Sequence, residues 1–443
     1  MPSGEIMVKR LILFCVFTLL SLLLVRGVLA GMGVVGAETA VFCTNHLANG
    51  YPCHNVNLLA HLPLTALGAE DATVTGSDHW GWHDSETGRD FVLFGLSNGT
   101  AFVEITDRQN PVYLGKLPSH NPGESSIWWD IKVYQNTAYI VGDIPSHNGL
   151  QIFDLTQLRD VASPPVTFSE TNHYDGFGPG HNLWVNPATA SLYVARTDAC
   201  PTLTMFDISQ PHNPVPNSPN DDGVPGCFID EPTDKIISDA ECVIYNGPDA
   251  DYTDQEICVI GSDATISIAD VTNKATPVVI TNTVVYTGHP VTRLHQGALT
   301  PDQRFLLFSD VMDEPTYGHN TRTYVWDLAD LDAPRYLGFY EGSSPARDHN
   351  LYIIPTASGN VAFETNWRSG LRVLSLNSLP SPAFSEIGYF DIDPASDSPA
   401  SDGAWNNYPW WGDGVVTVSG SKEGLFVLQF APPQQFLPFI SSQ

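Results

Sequence analysis

Residues 91–107 read FVLFGLSNGTAFVEITD, an apolar strand, an Asn-Gly turn and a second apolar strand that ends at an Asp. The unit occurs seven times, and its second strands end at Asp107, Asp154, Asp207, Asp270, Asp327, Ser375 and Gln429. The interval between ends runs from 47 residues (Asp107 to Asp154) to 63 residues (Asp207 to Asp270). Four-stranded propeller blades repeat about every 40 to 50 residues, and longer loops account for the excess. Together with dense turns and no helical period, the pattern predicts an all-β, seven-bladed β-propeller.

Two further segments recur around each unit. Pro111, Pro214, Pro277 and Pro334 open the strand that follows the Asp, and proline at a strand start is typical of an outer edge strand. Polar segments precede each pair of strands and are predicted to be the innermost strands, which line the central channel of a propeller. These segments are residues 78–83, 128–133, 180–185, 238–243, 294–298, 347–351 and 402–405.

The two ends of the repeat region predict how the ring closes. The last unit ends at Phe430 without an outer strand, whereas residues 56–63 resemble the outer strand at 112–118. We therefore expect an N-terminal strand to pair with the last blade, which hides sheet edges that would otherwise aggregate. The propeller is predicted to span residues 55–430.

The N-terminus has the layout of a secretory signal peptide. Lys9-Arg10 precede an apolar run at 11–25, and small-residue cleavage sites follow at Ala30 and Ala37. We predict a signal peptide at 1–30, with cleavage as late as 37 as a variant, then an N-terminal segment at 31–54 and a C-terminal tail at 431–443. The alternative is an uncleaved anchor, but the run is shorter than the roughly 20 residues of a membrane span. The mature chain is predicted to be secreted or on the cell surface, without a membrane span.

Six cysteines remain once Cys15 leaves with the signal peptide, and an even number in an exported chain is expected to pair. The spacing favours local bridges, Cys43–Cys53, Cys200–Cys227 and Cys242–Cys258, although six cysteines allow 15 pairings. A zinc site is the weaker alternative because no pair has Cys-x-x-Cys spacing. The formal charge of −30 argues against nucleic acid or anionic membranes as partners, and it fits either cation binding or simple solubility.

Several motifs make the chain resemble the bacterial choice-of-anchor B family, whose members carry LVIVD-type repeats. The motifs extend over about residues 55–430, and include Trp80-Gly81-Trp82, 129–134 (WDIKVY), 242–249 (CVIYNGPD), 318–324 (GHNTRTY), Asp348-His349-Asn350 and 424–428 (GLFVL). The resemblance implies export and attachment to the cell surface through interchangeable C-terminal anchors, with no assigned reaction. The tail at 432–443 differs from that pattern, because it lacks a long apolar span and a basic stop.

The inner segments supply the main candidates for a site. Their metal-binding or acid-base side chains are Asp130, His181, Asp239, Glu241, His295, Asp348 and His349. Three interpretations stay open: each side chain hydrogen-bonds a neighbouring inner strand, or the set binds a divalent metal or ligand, or it catalyses a reaction.

Other motifs are weaker candidates. Asp249, Asp251, Asp254 and Glu256 could ligate calcium through oxygen, but they also fit a solvated hairpin tip. Asp221-Asp222-Gly223 is typical of a turn, and Asn98-Gly99-Thr100 is more typical of a hairpin than of a glycosylation site. The aromatic residues Trp405, Tyr408, Trp410 and Trp411 could stack on a sugar or pack between blades.

Two functional hypotheses follow from these features. The first is a non-catalytic binding or scaffold module at the cell exterior, whose partner is a protein, a glycan or a small molecule. The second is a metal-dependent hydrolase or lactonase-like enzyme that uses the channel residues with calcium or a transition metal. No Gly-x-Ser-x-Gly elbow or phosphate-binding glycine loop is present. The convergence of the channel side chains on one centre would favour the enzyme.

Overall fold

The computed structural model describes residues 40–432, apart from 122, 144–147, 218–226, 229–235, 264 and 284–288. The predicted signal peptide, the turn at Asp221-Asp222-Gly223 and all but two residues of the C-terminal tail lie outside this part of the chain. No helix among these residues has the length and apolar character of a membrane span.

Three strands precede the first blade: β1 (Leu47–Ala48), β2 (Tyr51–His54) and β3 (Val56–Leu62). Blade 1 contains β4 (Gly76–Asp84), β5 (Arg89–Leu96), β6 (Gly99–Glu104) and β7 (Val112–Pro118). Blade 2 contains β8 (Trp129–Tyr134), β9 (Thr137–Gly142), β10 (Leu150–Asp154) and β12 (Asn172–Tyr174), while β11 (Val166–Thr167) pairs with β7. Blade 3 contains β13 (Asn182–Asn186), β14 (Ser191–Ala195), β15 (Leu203–Asp207), β16 (Val215–Pro216) and β17 (Cys227–Phe228).

The other four blades follow in chain order. Blade 4 contains β18 (Ile237–Ile244), β19 (Glu256–Ser262), β20 (Ile266–Asp270) and β21 (Val278–Thr283). Blade 5 contains β22 (Leu294–Leu299), β23 (Phe305–Asp310), β24 (Arg322–Asp327) and β25 (Arg335–Glu341), with the helix α1 (Asp313–Tyr317) between β23 and β24. Blade 6 contains β26 (Leu351–Thr356), β27 (Gly359–Thr365), β28 (Leu371–Ser375) and β29 (Ser385–Phe390). Blade 7 contains β30 (Ala404–Tyr408), β31 (Val415–Gly420) and β32 (Gly424–Phe430). Short 3-10 helices lie at Leu64–Leu67, Leu155–Leu158 and Ala250–Tyr252.

The seven sheets form a closed ring. The first strand of each blade contacts the first strand of the next, from β4 and β8 around to β30, which contacts β4 again. The seven-bladed β-propeller predicted from the repeats is therefore confirmed. The inner segment at 347–351 differs most from its prediction, because β26 begins at Leu351 and residues 347–350 precede it, while 180–181 and 402–403 also precede their strands.

The N-terminal strand closes the ring, as predicted. In blade 7 the outer position is taken by β3, which runs antiparallel to β32, with Val56 opposite Phe430 and Leu62 opposite Leu425. The preceding strand β2 pairs with β29, so part of the segment before residue 55 extends blade 6.

Strand alternation builds the core, because each blade packs between two others. Successive side chains of a strand point to opposite faces. In β5, Val92 and Phe94 join a cluster with Val427 of blade 7, while Phe91 and Leu93 join one with residues of blade 2. Burying each such side chain contributes about 1.5–3 kcal/mol. The middle strands are consequently apolar on both faces.

The three predicted disulfides are present: Cys43–Cys53, Cys200–Cys227 and Cys242–Cys258. Cys242 lies directly opposite Cys258 in the β18–β19 pair. Cys43–Cys53 lies within the segment that extends blade 6.

Candidate functional site

A cavity lies within the ring of inner strands and has a volume of about 90 Å³. It is lined by Asp78, Trp128, Trp129, Asp130, Lys132, His181, Asn182, Asp239, Arg293, His295, Val311, Met312, Arg347, His349, Asn350, Tyr352, Trp367, Ser401 and Trp405. Residues from all seven blades therefore meet here. A site assembled from distant parts of the chain is expected where inner strands converge on an axis.

Five of the seven predicted channel residues line this cavity: Asp130, His181, Asp239, His295 and His349. Glu241 and Asp348 do not. Glu241 accepts a hydrogen bond from the Leu299 amide at 2.7 Å, and Asp348 accepts one from the Asp310 amide at 3.2 Å.

On one side of the cavity, two carboxylates enclose a buried lysine. Asp130 and Lys132 lie two residues apart in β8, so their side chains share a face of the strand. The Lys132 ammonium donates to Asp130, lies 3.7 Å from Asp78 and sits over the Trp80 ring at 4.5 Å. Burial opposes charge on Lys132, yet Asp130 and Asp78 raise its pKa above the usual value.

The two carboxyl groups beside Lys132 titrate differently. Burial works against ionisation of Asp130, but the charge of Lys132 and hydrogen bonds hold its pKa below the usual value. Burial and then the neighbouring charge of Asp130 raise the pKa of Asp78, although Lys132 opposes this. We infer that Asp130 and Lys132 are a buried ion pair at neutral pH.

Several inner-strand side chains join one blade to the next at four places around the axis. Asp78 accepts from the Ile131 amide of blade 2 at 3.2 Å, and Asp130 accepts from the Leu183 amide of blade 3 at 2.7 Å. Glu241 of blade 4 reaches Leu299 of blade 5 in the same way, and Gln296 of blade 5 accepts from the Leu351 amide of blade 6 at 2.9 Å. These contacts satisfy backbone donors at the axis, and they make Asp78, Asp130 and Glu241 structural residues.

Burial also changes the charge of the carboxyl groups of blade 4. It raises the pKa of Asp239 to about 7, with a smaller contribution from the charge of Asp130. Burial raises the pKa of Glu241 to about 8. Protonation of Asp239 therefore relieves part of the negative charge around Lys132 near neutral pH.

The other side of the cavity carries three histidines. The His349 and His295 rings lie 4.3 Å apart, and the His181 ring lies 6.3 Å from that of His295. Burial lowers the pKa of His349 to about 3 and also lowers those of His295 and His181. His349 Nδ1 lies 2.6 Å from the Trp405 carbonyl, which can only accept, so this nitrogen carries the proton.

Two arginines and three tryptophans complete this side: Arg293, Arg347, Trp128, Trp367 and Trp405. Arg347 donates to the Pro399 carbonyl at 2.8 Å and to the Ser401 hydroxyl at 2.7 Å. In contrast, Arg293 Nε, Trp367 Nε1 and His295 Nδ1 are buried without a hydrogen-bond partner among the described residues. Only Trp405 of these five belongs to a predicted candidate set.

The predicted calcium loop does not converge on one point. Asp249 accepts from the Asp251 and Leu331 amides at 3.2 and 2.9 Å. Glu256 is instead buried in β19, where Lys274 at 2.5 Å and the Asn186 amide group at 2.7 Å contact its carboxylate. Glu256 is the first residue of β19, whereas Asp249, Asp251 and Asp254 lie in the turn before this strand.

The predicted aromatic cluster is divided between two places. Trp405 lines the axial cavity. Tyr408 packs on Trp80, Trp410 and Trp411. At the Asn98-Gly99 motif a hairpin joins β5 and β6 as predicted, with Ser97 and Asn98 in the turn and Gly99 paired with Leu96 as the first residue of β6.

No protein-family model matches the chain, and no curated protein is similar to it. Among solved structures, it is similar to the β-propeller domain of Cps50 (Swd1) from Myceliophteria thermophila, with 11% identity over 76% of this chain and 92% of that one and a TM-score of 0.45. It is also similar to a protein from Lactobacillus plantarum, with 12% identity over 78% of this chain and 89% of that one and a TM-score of 0.49. Similarity of this degree carries no information about function.

Proposed function

We propose that the protein is an exported, non-catalytic binding module that takes a small, acceptor-rich molecule such as a carboxylate in its axial cavity. The observation that carries this proposal is the set of buried polar atoms, Arg293 Nε, Trp367 Nε1 and His295 Nδ1, that lack a partner in the described part of the chain. An unsatisfied buried polar group costs about 1–3 kcal/mol. A ligand that supplies oxygen acceptors would recover that cost.

The lining also suggests what such a ligand looks like. Arginine binds carboxylates strongly because its planar group offers paired donors, and Arg293 and Arg347 both line the cavity. Trp128, Trp367 and Trp405 offer flat apolar surfaces for the body of the molecule. Salt screens charges that lie more than about 8 Å apart, so most of the net charge of −30 opposes an anion in the cavity only weakly.

The metal-dependent hydrolase is the alternative, and the axial geometry favours it less. In the described part of the chain, two groups of three His, Cys, Asp or Glu residues have ligand atoms that lie within 4.8 Å of one another. One group is His289, Asp313 and His319, and the other is Asp249, Asp330 and Asp332. Neither group contains a predicted channel residue that lines the cavity. Asp130 is moreover paired with Lys132 and hydrogen-bonded to blade 3.

Export and surface display are part of the proposal. Three disulfides are compatible with a location outside the cytoplasm, where oxidising conditions preserve them. The signal-peptide pattern and the resemblance to the choice-of-anchor B family support the same location. An extracellular protein or a glycan remains an alternative partner for a propeller of this kind.

A ligand panel tests the binding proposal. We expect at least one small carboxylic acid to stabilise the purified protein in thermal-shift assays and to bind in calorimetry, whereas its matched amide should bind about 10-fold more weakly. The Arg293→Gln variant should lose a similar factor. Arg304→Gln is the matched control, because Arg304 pairs with Asp327 on the outside of blade 5.

Two results would contradict this proposal. Equal binding of the acid and the amide to wild type and Arg293→Gln would show that the arginine does not recognise a carboxylate. Turnover of ester or lactone substrates that is lost in His295→Gln would favour the enzyme instead.

A further inference from the structure

A second cluster lies in blade 5, apart from the groups that hold the proposed ligand. The segment before β22 supplies His289, and the connection between β23 and β24 supplies Asp313 and His319. Their ligand atoms all lie within 4.8 Å of one another. Asp313 opens α1, and Gly318 ends this helix in the left-handed conformation with φ of 74°, which turns the chain into His319.

Hydrogen bonds set the proton positions on both histidines. His319 Nδ1 lies 2.7 Å from the Asn320 carbonyl, and His289 Nδ1 lies 3.1 Å from the Pro290 carbonyl. A carbonyl can only accept, so each Nδ1 carries a hydrogen and each Nε2 presents a lone pair. Metal-binding histidines typically donate their second nitrogen to a backbone carbonyl in this manner.

Arg322 gives an independent sign of the same tautomer at His289. Its Nη1 lies 3.2 Å from His289 Nε2, and a guanidinium can only donate. Arg322 also pairs with Glu341 at 2.8 Å. A metal ion at His289 Nε2 would replace the Nη1 hydrogen bond and leave the pair with Glu341 in place.

Asp313 supplies the negative ligand and is fully buried. Tyr324 donates to its Oδ2, and its carboxyl group also hydrogen-bonds that of Glu314. The Oδ2 atom lies 3.5 Å from His319 Nε2, a buried atom without a hydrogen-bond partner among the described residues. Two ligands of one tetrahedral zinc ion, each about 2.1 Å from it, are about 3.4 Å apart.

The surroundings favour a cation at this point. The Glu314 carboxyl group hydrogen-bonds that of Asp313, and Asp348 Oδ1 is buried without a partner in the part of the chain that the structure describes. Glu314 and Asp348 are at least nine-tenths buried, with 1% and 3% exposure. Carboxyl groups buried this close together are costly to ionise, and a divalent ion beside them lowers the electrostatic part of that cost.

We propose that His289, Asp313 and His319 bind a divalent transition-metal ion, with Zn²⁺ as the best fit. Two imidazole nitrogens and one carboxylate match zinc, whereas calcium prefers an all-oxygen set of six to eight ligands. The ion would hold the β23–β24 connection to the segment before β22. Because Met312 of this connection lines the axial cavity, the ion also fixes part of the cavity wall.

Metal titration of the purified, chelator-treated protein tests this site. We expect one equivalent of Zn²⁺ with a dissociation constant below about 1 μM near pH 7. Cobalt(II) should replace it and give the visible absorption of a four-coordinate ion, and calcium should not displace either metal. Zinc should also raise the melting temperature, because it binds the folded state.

Matched histidine variants locate the ion. His289→Gln and His319→Gln should each weaken zinc binding by at least about 100-fold, while His349→Gln in the axial cavity should bind like the wild type. Circular dichroism of the metal-free variants checks that they fold. The cobalt spectrum of the wild type gives a second measurement that does not depend on a variant.

The proposal is overturned if the wild type binds less than one equivalent of zinc, or if both glutamine variants keep wild-type affinity. A cobalt spectrum of six-coordinate, water-like type would overturn it as well. The result is independent of the carboxylate proposal, because that one depends on Arg293 and this one on His289, Asp313 and His319.

Discussion

The two sides of the axial cavity use similar residue types in different ways. On the carboxylate side, Asp78 and Asp130 accept backbone amides of the following blade and enclose Lys132. On the histidine side, His295 and Arg293 keep buried polar atoms that no described residue contacts by a hydrogen bond. Polar side chains on the carboxylate side of the cavity therefore join the blades, whereas those on the histidine side are available to bind a ligand.

The difference arises from the neighbouring blade. An inner-strand carboxylate becomes structural when an amide of the next strand points at it, as Leu183 does at Asp130. Where the neighbouring backbone is already paired, a polar side chain at the axis has only solvent, another side chain or a ligand to contact. The predictions below test this division, beginning with the largest expected effect.

Replacing the central lysine should destabilise the protein most. Lys132→Met leaves Asp130 buried without its counter-charge, and breaking a buried ion pair costs about 3–5 kcal/mol. Urea unfolding should show a loss of that size. Lys422→Met is the control, since the Lys422–Asp402 pair is at the surface and should contribute less than about 1 kcal/mol. A loss below about 1 kcal/mol in Lys132→Met would contradict a structural role for this side.

The pH dependence of stability should have opposite signs on the two sides. Because the pKa of Asp239 is raised to about 7 in the folded state, its contribution to stability is lost as the pH rises from about 4 to 7. Asp239→Asn should therefore gain stability relative to the wild type over this range. The charged neighbours of Asp239 are Asp130 and Lys132, and both are present in the wild type and in Asp239→Asn.

His349 should show the reverse behaviour. Its pKa is lowered to about 3 in the folded state, so its neutral form contributes stability above pH 6.5 that is lost as the pH falls toward 3. His349→Gln should gain stability relative to the wild type on acidification, with His181, His295 and Arg347 still in place. Urea unfolding at several pH values gives both difference curves, and each variant is the control for the other. Difference curves that do not change with pH would contradict the two assignments.

Much of the fold was predictable because it repeats. Seven apolar units, a strand at residues 56–63 that resembles 112–118, and locally spaced cysteines define the blades, the ring closure and the disulfides without knowledge of long-range contacts. The start of β26 was less predictable. Residues 347–350 have the polar pattern of the other inner segments but precede the strand: Arg347, His349 and Asn350 line the cavity, and the His349 carbonyl accepts a hydrogen bond from Ser309 of blade 5.

The site was predictable only in part, for a physical reason. The repeat predicts which segments are the inner strands that line the channel. His181, His295 and His349 were identified in this way, and all three line the cavity. The contact that makes Asp130 structural is made with an amide 53 residues away, which the sequence pattern does not contain. Lys132 was missed because a lysine is seldom buried, although its spacing of two from Asp130 places both on one face of β8.

The smallest expected effect separates hydrogen bonding from charge at Glu241. This residue joins blades 4 and 5 through the Leu299 amide, and burial raises its pKa to about 8. Since the group is then mostly protonated near pH 7, glutamine should keep the acceptor and change stability by less than about 1 kcal/mol. Glu241→Ala leaves the amide without a partner and should cost about 1–3 kcal/mol. Equal losses in the two variants, measured by urea unfolding, would mean that the carboxyl group has a role glutamine cannot replace, and Glu241 would then belong with the histidine side of the comparison.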